Sequence, residues 1–138
     1  MQLHSQTYIL NYKSKKIMVH DLFYDEENEI LILKFNSHFM YKDIEPIFSN
    51  AKELLEGKPV RQVLLETSKE NGVENRETRE AIAKELSKLN VTDIAFIGIG
   101  ATERMIARVI IKTLIKLNGE FFKDKEEAIQ WLKNKRKK

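Results

Sequence analysis

The last third of the chain, from Asp93 to Leu132, alternates apolar runs with turn residues in an order that few folds allow. The pattern predicts a strand at Asp93–Ile99 and a helix at about Thr102–Leu117 with a stop at Gly119. A short strand at Glu120–Phe122 and a capped closing helix that ends in Trp131 and Leu132 are predicted to follow. A strand, a crossover helix and a second parallel strand form the unit from which α/β sheets are built. The chain is therefore expected to be an α/β domain with parallel strands at its C-terminal end.

Two branched, apolar runs near the start of the chain flank a short polar segment, which is typical of a β-hairpin. The runs are Ile17–Tyr24 and Glu29–Phe35, and the turn is expected at Asp25–Asn28. With that turn, Leu22 faces Leu31 and His20 faces Leu33. The core face is expected to carry Met18, His20, Leu22, Leu31, Leu33 and Phe35, and the opposite face is expected to be only partly covered.

Between these regions the periodicity predicts a helix at Asp43–Glu56, a buried strand at Val60–Glu66 and a helix from Asn75 to about Leu89. The whole order is ββαβαβαβα, a mixed sheet with an antiparallel hairpin followed by parallel strands. We expect one domain over residues 16–132, with residues 1–15 as an extension or edge strand and residues 133–138 as a basic tail.

Charge and composition limit the function classes. Five cations follow Leu132 and account for the net charge of +3, leaving −2 for the remainder. A solvated helix end is favoured over nucleic-acid binding for this tail. The absence of cysteine excludes disulfides and thiolate metal sites. No signal peptide or membrane span is expected, because Arg108, Lys112 and Lys116 interrupt the most apolar region, and a cytoplasmic location is expected.

The chain resembles the SpoIIAA-like branch of the STAS superfamily, relatives of the sporulation anti-anti-sigma factor that are also grouped with CRAL-TRIO lipid-binding domains. The resemblance lies in the strand Asp93–Gly98, the apolar helix that carries Arg104, and the ending Phe121-Phe122-x-Asp-x-Glu-Glu-Ala-x-x-Trp-Leu, and it covers about Ile17 to Leu132. It implies a bacterial-type, non-catalytic regulatory module that binds a protein partner. The phosphorylated serine of the anti-anti-sigma factors lies in an Asp-Ser-Ser-Gly motif, which this chain lacks at Thr67–Gly72, so no switch residue carries over.

Gly98-x-Gly100 follows a strand and opens a helix, where a dinucleotide site would bind phosphate. The third glycine is replaced by Glu103, which would repel a pyrophosphate, so no cofactor is expected and a tight turn is the favoured explanation. His4, His20 and His38 have no metal-ligand spacing, and no nucleophile stands with a usable base, so no metal or catalytic residue is predicted.

Arg104 and Arg108 lie one helical turn apart and either bind an anion at the strand ends or pair with neighbouring side chains. The candidate positions for binding a ligand or a partner are Thr67, Ser68, Gly100, Thr102, Arg104 and Arg108.

The helix after Gly100 has a wider apolar stripe than a sheet-facing surface needs. One explanation is a homodimer or a protein partner, with Ile106, Ile110 and Ile111 as interface candidates. The alternative is a lipid or small apolar ligand in a cavity lined by this helix and by the helix at Asp43–Glu56.

Overall fold

The structure is a computed structural model that describes residues 19–68, 71–112 and 117–136. The described residues form a five-stranded sheet in which the strands are neighbours in chain order. The strands are β1 (Asp21–Asp25), β2 (Ile30–Lys34), β3 (Gln62–Glu66), β4 (Asp93–Ile97) and β5 (Asn118–Phe122). The helices are α1 (Ile44–Leu55), α2 (Arg76–Lys88), α3 (Ala101–Ile110) and α4 (Lys125–Arg136), with a 3-10 turn at Tyr41–Asp43.

Strand β1 is antiparallel to β2, and the remaining neighbours are parallel. The predicted α/β class, with a hairpin followed by parallel strands, is confirmed. The expected extension at residues 1–15 lies outside the described residues, as does Met18. No helix in the three described segments combines the length and apolar character that crossing a bilayer requires.

Helices cover both faces of the sheet, and each face has its own core. One core joins inward residues of β1–β4 with α1 and α2, including Leu33, Leu55, Leu65, Leu86 and Phe96. The other packs the opposite face against α4: Ile30, Ile32, Leu64, Ala95, Ile97, Ala128 and Leu132. The second hairpin face is only partly covered, as expected: Ile30 and Ile32 are fully buried beneath α4, whereas Val19 is 50% exposed and Lys34 is also exposed.

The hairpin register differs from the predicted one by two residues. Leu22 pairs with Leu33, and Tyr24 pairs with Leu31. The turn begins one residue later than expected, because the Asp25 carboxylate accepts hydrogen bonds from the backbone and side-chain nitrogens of Asn28, at 3.2 and 2.9 Å. A shift of two residues keeps every side chain on its predicted face.

Buried His20 lies on the first core face as expected. Its ring stacks on Phe39, with centroids 5.0 Å apart. The backbone N–H of Asn36 donates to Nδ1, so Nε2 carries the proton and donates to Asp43 Oδ2 at 3.1 Å.

Gly119 was predicted to be the stop of the preceding helix, but it has a different place in the structure. It lies within β5 and pairs with Ile94. A Cβ at this position would stand 2.6 Å from Cδ1 of Ile111, so the missing side chain lets Ile111 pack over the strand. Residues 113–116, which include part of the predicted helix, lie outside the described residues.

Helix α4 continues past Leu132 to Arg136, so the expected boundary with a solvated tail is wrong for residues 133–136. Arg136 Nε donates to Gln62 Oε1 at 2.7 Å, and its Nη1 lies 3.3 Å from Glu29 Oε1. The prediction of a solvated tail was based on charge alone, which does not reveal that the buried Gln62 side chain accepts a hydrogen bond from the end of this helix. Lys137 and Lys138 lie outside the described residues.

Candidate ligand cavity at the carboxyl ends of the strands

A cavity of about 200 Å³ lies between the sheet, α2 and α3. It is at the carboxyl end of the parallel strands, where open α/β sheets usually bind ligands. Its apolar wall consists of Phe35, Leu65, Val73, Ile82, Ala83, Leu86, Ile94, Phe96, Ile99, Ala107, Ile110 and Ile111. Its polar part consists of His38, Thr67, Ser68, Asn71, Arg79 and Glu103, with Gly72 and Gly100 beside them.

The floor of the cavity follows from strand alternation. Leu65 and Phe96 pair across β3 and β4, and both face α2 and α3. Ile94 lies two residues before Phe96 on the same face, which explains why three large apolar side chains line one surface.

Helix α3 forms the roof of the cavity, and none of its residues is buried. Ala107 faces the cavity with only a methyl group, while Met105 and Val109 on the outer side are 68% and 61% exposed. A helix with this little packing against the sheet leaves room beneath it.

The loop after β3 and the start of α3 border the cavity from two sides. Thr67 Oγ1 donates to the carbonyl of Asn71 at 2.9 Å, which folds the loop back on itself. From α3, the Glu103 carboxylate extends toward this loop, with Oε2 4.0 Å from the point where a Cβ on Gly72 would lie.

Arg79 is the polar residue of the wall with an unsatisfied buried atom. Its Nε is inaccessible to solvent and has no hydrogen-bond partner within the described part of the chain. The residue is the fourth of α2, whose N-terminus is capped by Asn75 accepting from the Thr78 backbone at 2.9 Å. A buried donor without a partner is uncommon in native proteins and calls for an explanation.

The structure brings three of the six predicted binding positions to the cavity: Thr67, Ser68 and Gly100. Thr102, Arg104 and Arg108 lie outside its lining. The guanidinium groups of Arg104 and Arg108 lie over the Phe121 ring at 5.7 and 4.7 Å.

Arg108 also approaches Glu120, with Nη2 3.8 Å from Oε2. Both arginines thus contact neighbouring side chains, which is one of the two arrangements expected for this pair.

The three interface candidates do not form the exposed side of the helix after Gly100. Ile110 and Ile111 face the cavity and Ile106 is half-buried, while Met105 and Val109 form the exposed line. Helix phase explains the difference, since residues four apart share one side of a helix.

The second wall of the cavity was also predicted on the wrong helix. The sequence pattern placed it on the helix at Asp43–Glu56, but α2 supplies it. Helix α1 packs directly on the sheet through Ile47, Ala51 and Leu55, which are each at most 1% exposed. Arg79 and Ile82 were not predicted as cavity residues because they lie on α2, the helix that the sequence pattern did not select. One signal was available for Arg79, since a cation near a helix N-terminus is electrostatically unfavourable and therefore unusual.

The Gly98-x-Gly100 motif has a structural cause at its first glycine. Gly98 has a φ of +84°, and a Cβ there would lie 1.8 Å from the carbonyl oxygen of Thr67. The end of β4 thus passes directly against the end of β3, which only glycine permits.

Within the three described segments, no group of three His, Asp or Glu side chains is placed to hold a metal ion.

Comparison with known proteins places the fold. A crystal structure of an uncharacterized protein of the DUF3478 family with a SpoIIAA-like fold, from Shewanella loihica PV-4, superimposes with a TM-score of 0.60 at 20% identity. The match covers 82% of this chain and 91% of the other, and it confirms the SpoIIAA-like fold that the resemblance predicted. No curated protein matches the chain. Residues 23–136 match the family described as a domain of unknown function, DUF7793, and the chain belongs to that family.

Proposed function

We propose that this protein is a non-catalytic binding module whose cavity beneath α3 takes a small, largely apolar ligand. The observation that carries the proposal is the apolar space of about 200 Å³ under a helix without buried residues. Since a cavity of about 150 Å³ is enough to bind benzene, this one suits a ligand of roughly ten non-hydrogen atoms. That is smaller than the drug-sized molecules that fill cavities of about 300–1,000 Å³.

The contacts of His20, which lies outside the cavity lining, and of Thr67 support binding over catalysis. His20 uses both ring nitrogens in hydrogen bonds and stacks against Phe39, so neither nitrogen is available to take a proton from a substrate. Thr67, beside the cavity, donates its hydroxyl to the Asn71 carbonyl. A nucleophile needs an adjacent base, which these contacts do not supply.

The test fills the cavity from its roof. Ala107→Phe places a ring in the space beneath α3, and Ala101→Phe adds the same ring at an exposed position of the same helix. Isothermal titration calorimetry with octan-1-ol and with octanoate is expected to show binding to the native protein and to Ala101→Phe, and none to Ala107→Phe. Absence of binding of both probes to the native protein, or equal binding to both variants, would contradict the proposal.

A second candidate function is favoured by the outer side of α3. Met105 and Val109 lie one turn apart and are 68% and 61% exposed, although large apolar side chains are usually buried. We propose that this side contacts a protein partner, in the manner of an anti-sigma-factor antagonist without the phosphoserine motif, and that a second copy of the chain is one such partner. A dimer would need to bury about 800 Å² per protomer.

Sedimentation velocity at micromolar concentration tests the dimer. Met105→Glu is expected to shift a dimer to monomer, while Thr102→Glu, exposed on the same helix, serves as the control for added charge. A native protein that remains monomeric at the highest soluble concentration would rule out self-association through this side.

A further inference from the structure

We infer that the outer edge of β5, together with Arg104 and Arg108 of α3, binds an extended acidic segment of a partner protein as an additional strand of the sheet. This surface is separate from the cavity and from the side of α3 that carries Met105 and Val109, so the inference rests on neither proposed function. Three features carry it: the direction of the β5 backbone groups, the two arginines beside the edge, and the spacing of those arginines.

The outer edge of β5 presents backbone hydrogen-bonding groups. Within the described residues the sheet ends at β5, which pairs with β4 alone. The Asn118 backbone N–H donates to the Thr92 carbonyl at 3.1 Å, on the β4 side. Because the backbone groups of successive strand residues point to opposite edges, those of Gly119 and Phe121 point away from β4.

Such a row of backbone groups is a template for pairing with another chain. Edge strands are commonly protected by a proline, a lysine or a bulge. Strand β5 reads Asn-Gly-Glu-Phe-Phe and pairs with β4 in unbroken register, without any of these devices. Its outer edge is therefore suited to accept a strand.

Two exposed guanidinium groups lie beside this edge. Those of Arg104 and Arg108 lie over the Phe121 ring, which stacks on Phe96 with centroids 4.8 Å apart. Arg108 also reaches past the strand, since its Nη2 lies 3.8 Å from Oε2 of Glu120, a residue on the opposite face of the sheet. Within the described segments, Glu120 is the carboxylate that approaches either arginine, so positive charge is in excess here.

Charge favours an acidic partner over a second copy of the chain. The side chains of Arg108 and Glu120 are 53% and 42% exposed, and an ion pair this open to solvent contributes little. Two copies joined through β5 by a two-fold axis normal to the sheet would bring the arginines of both α3 helices to one face, where like charges repel. Carboxylates on an added strand would instead pair with both arginines.

The spacing of Arg104 and Arg108 specifies the spacing of those carboxylates. Residues four apart on a helix are separated by about 6 Å along its axis. Residues two apart on a strand lie on one face and are separated by about 6.6 Å. An added strand with acidic residues at alternate positions therefore presents one carboxylate to each arginine, whereas adjacent acidic residues would point to opposite faces.

Titrations of the isotope-labelled full chain with three blocked heptapeptides, followed by amide NMR near neutral pH, test the inference. The probe is Ac-Thr-Val-Glu-Val-Glu-Val-Thr-NH2. One control replaces both glutamates with lysine, and the other, Ac-Thr-Val-Glu-Glu-Val-Val-Thr-NH2, has the probe's composition with adjacent acids. We expect the probe to bind at least about tenfold more tightly than the lysine peptide and about threefold more tightly than the adjacent-acid peptide. On binding, solvent exchange of the Gly119 and Phe121 amides should slow at least about fivefold.

Paired substitutions test the arginines. Arg104→Gln combined with Arg108→Gln should weaken binding of the probe at least about fivefold and remove its preference over the lysine peptide. Lys84→Gln combined with Lys88→Gln removes two exposed cations at the same spacing from α2 and should leave both properties unchanged.

The contrary outcomes are specific. Absence of probe binding at millimolar concentration, equal affinity for the probe and the lysine peptide, or an affinity unchanged in the double arginine variant overturns the inference. Slowed exchange in β1 instead of at Gly119 and Phe121 places the added strand at the other edge and overturns the assignment to β5.

A second copy at the edge is also detectable. If exchange at Gly119 and Phe121 slows with protein concentration in the absence of peptide, while the protein sediments as a dimer, a second copy occupies the edge and the acidic partner is overturned. Should the double arginine variant not fold, the ranking of the three peptides on native protein decides. Octan-1-ol binding to the cavity is measured separately, so each proposal can fail alone.

Discussion

Nε of Arg136 donates a hydrogen bond across 2.7 Å to Oε1 of Gln62, the first residue of the central strand. Gln62 is 2% exposed, and its Nε2 donates to Asp93 Oδ2 at 2.9 Å and to the Leu132 carbonyl at 2.8 Å. Both polar atoms of the Gln62 side chain therefore have hydrogen-bond partners. The donor to Oε1 comes from the last turn of α4. This contact couples the last turn of α4 to the centre of the sheet.

Arg136→Gln is predicted to lower the free energy of unfolding by about 1–3 kcal/mol, because it leaves the buried Gln62 oxygen without its donor. Lys135→Gln removes the same charge one residue earlier, where the ammonium lies 5.4 Å from the Trp131 ring centroid, and should cost less than about 1 kcal/mol. Urea denaturation of both variants measures the difference. Equal effects would mean that the bond to Gln62 contributes nothing beyond charge.

Leu31→Asp is predicted to prevent stable folding, because it places a carboxylate among apolar side chains opposite Tyr24, at a site that is 3% exposed. The cost of an unpaired buried carboxylate, more than about 4 kcal/mol, is comparable with the whole stability of a small domain. Lys34→Gln changes an exposed residue of the same strand and should fold normally. Soluble expression and circular dichroism distinguish the two, and a folded Leu31→Asp protein with an unaltered melting temperature would contradict the burial of this face.

The sequence predicted the fold through features that act locally. Alternation in β3 and β4, the polar turn after Asp25 and the capping pattern at Asp124 each depend on residues close together in the chain. The Asp124 carboxylate does accept from the Glu127 backbone at 2.9 Å. The hairpin register was missed by two residues because alternation fixes which face a side chain occupies but not its partner.

The candidate site was predictable only in part, because it depends on distances between elements. Thr67, Ser68 and Gly100 follow strand ends, and topology alone brings such positions together. Arg79 lies within a helix, and its place in the cavity wall depends on how α2 and α3 are spaced above the sheet, which periodicity does not specify. The docking of Arg136 on Gln62 is likewise a contact between distant parts of the chain.

Gly98→Ala is predicted to destabilise the protein by more than about 2 kcal/mol, since the added Cβ would lie 1.8 Å from the Thr67 carbonyl oxygen. Gly57 offers a matched control, with φ of +78° and no atom within 4 Å of the added Cβ, so Gly57→Ala should cost only about 1–2 kcal/mol for the left-handed backbone. Thermal melts of both variants test the claim. Similar losses would show that the contact with Thr67 relaxes easily.

Alkaline pH should weaken the fold through Tyr24. Burial raises the pKa of its hydroxyl, and the Glu29 and Glu26 carboxylates raise it further, while the Arg136 guanidinium acts in the opposite direction. The native state then holds this proton more tightly than the unfolded chain, so the stabilisation is complete below the unfolded value of about 10 and is lost as pH rises through the higher native pKa. Melting temperatures between pH 9 and about 11 should therefore fall less steeply in Tyr24→Phe than in the native protein. Tyr41→Phe, at a residue that is 52% exposed, should keep the native slope, and parallel curves for all three proteins would show that Tyr24 does not contribute to the alkaline loss.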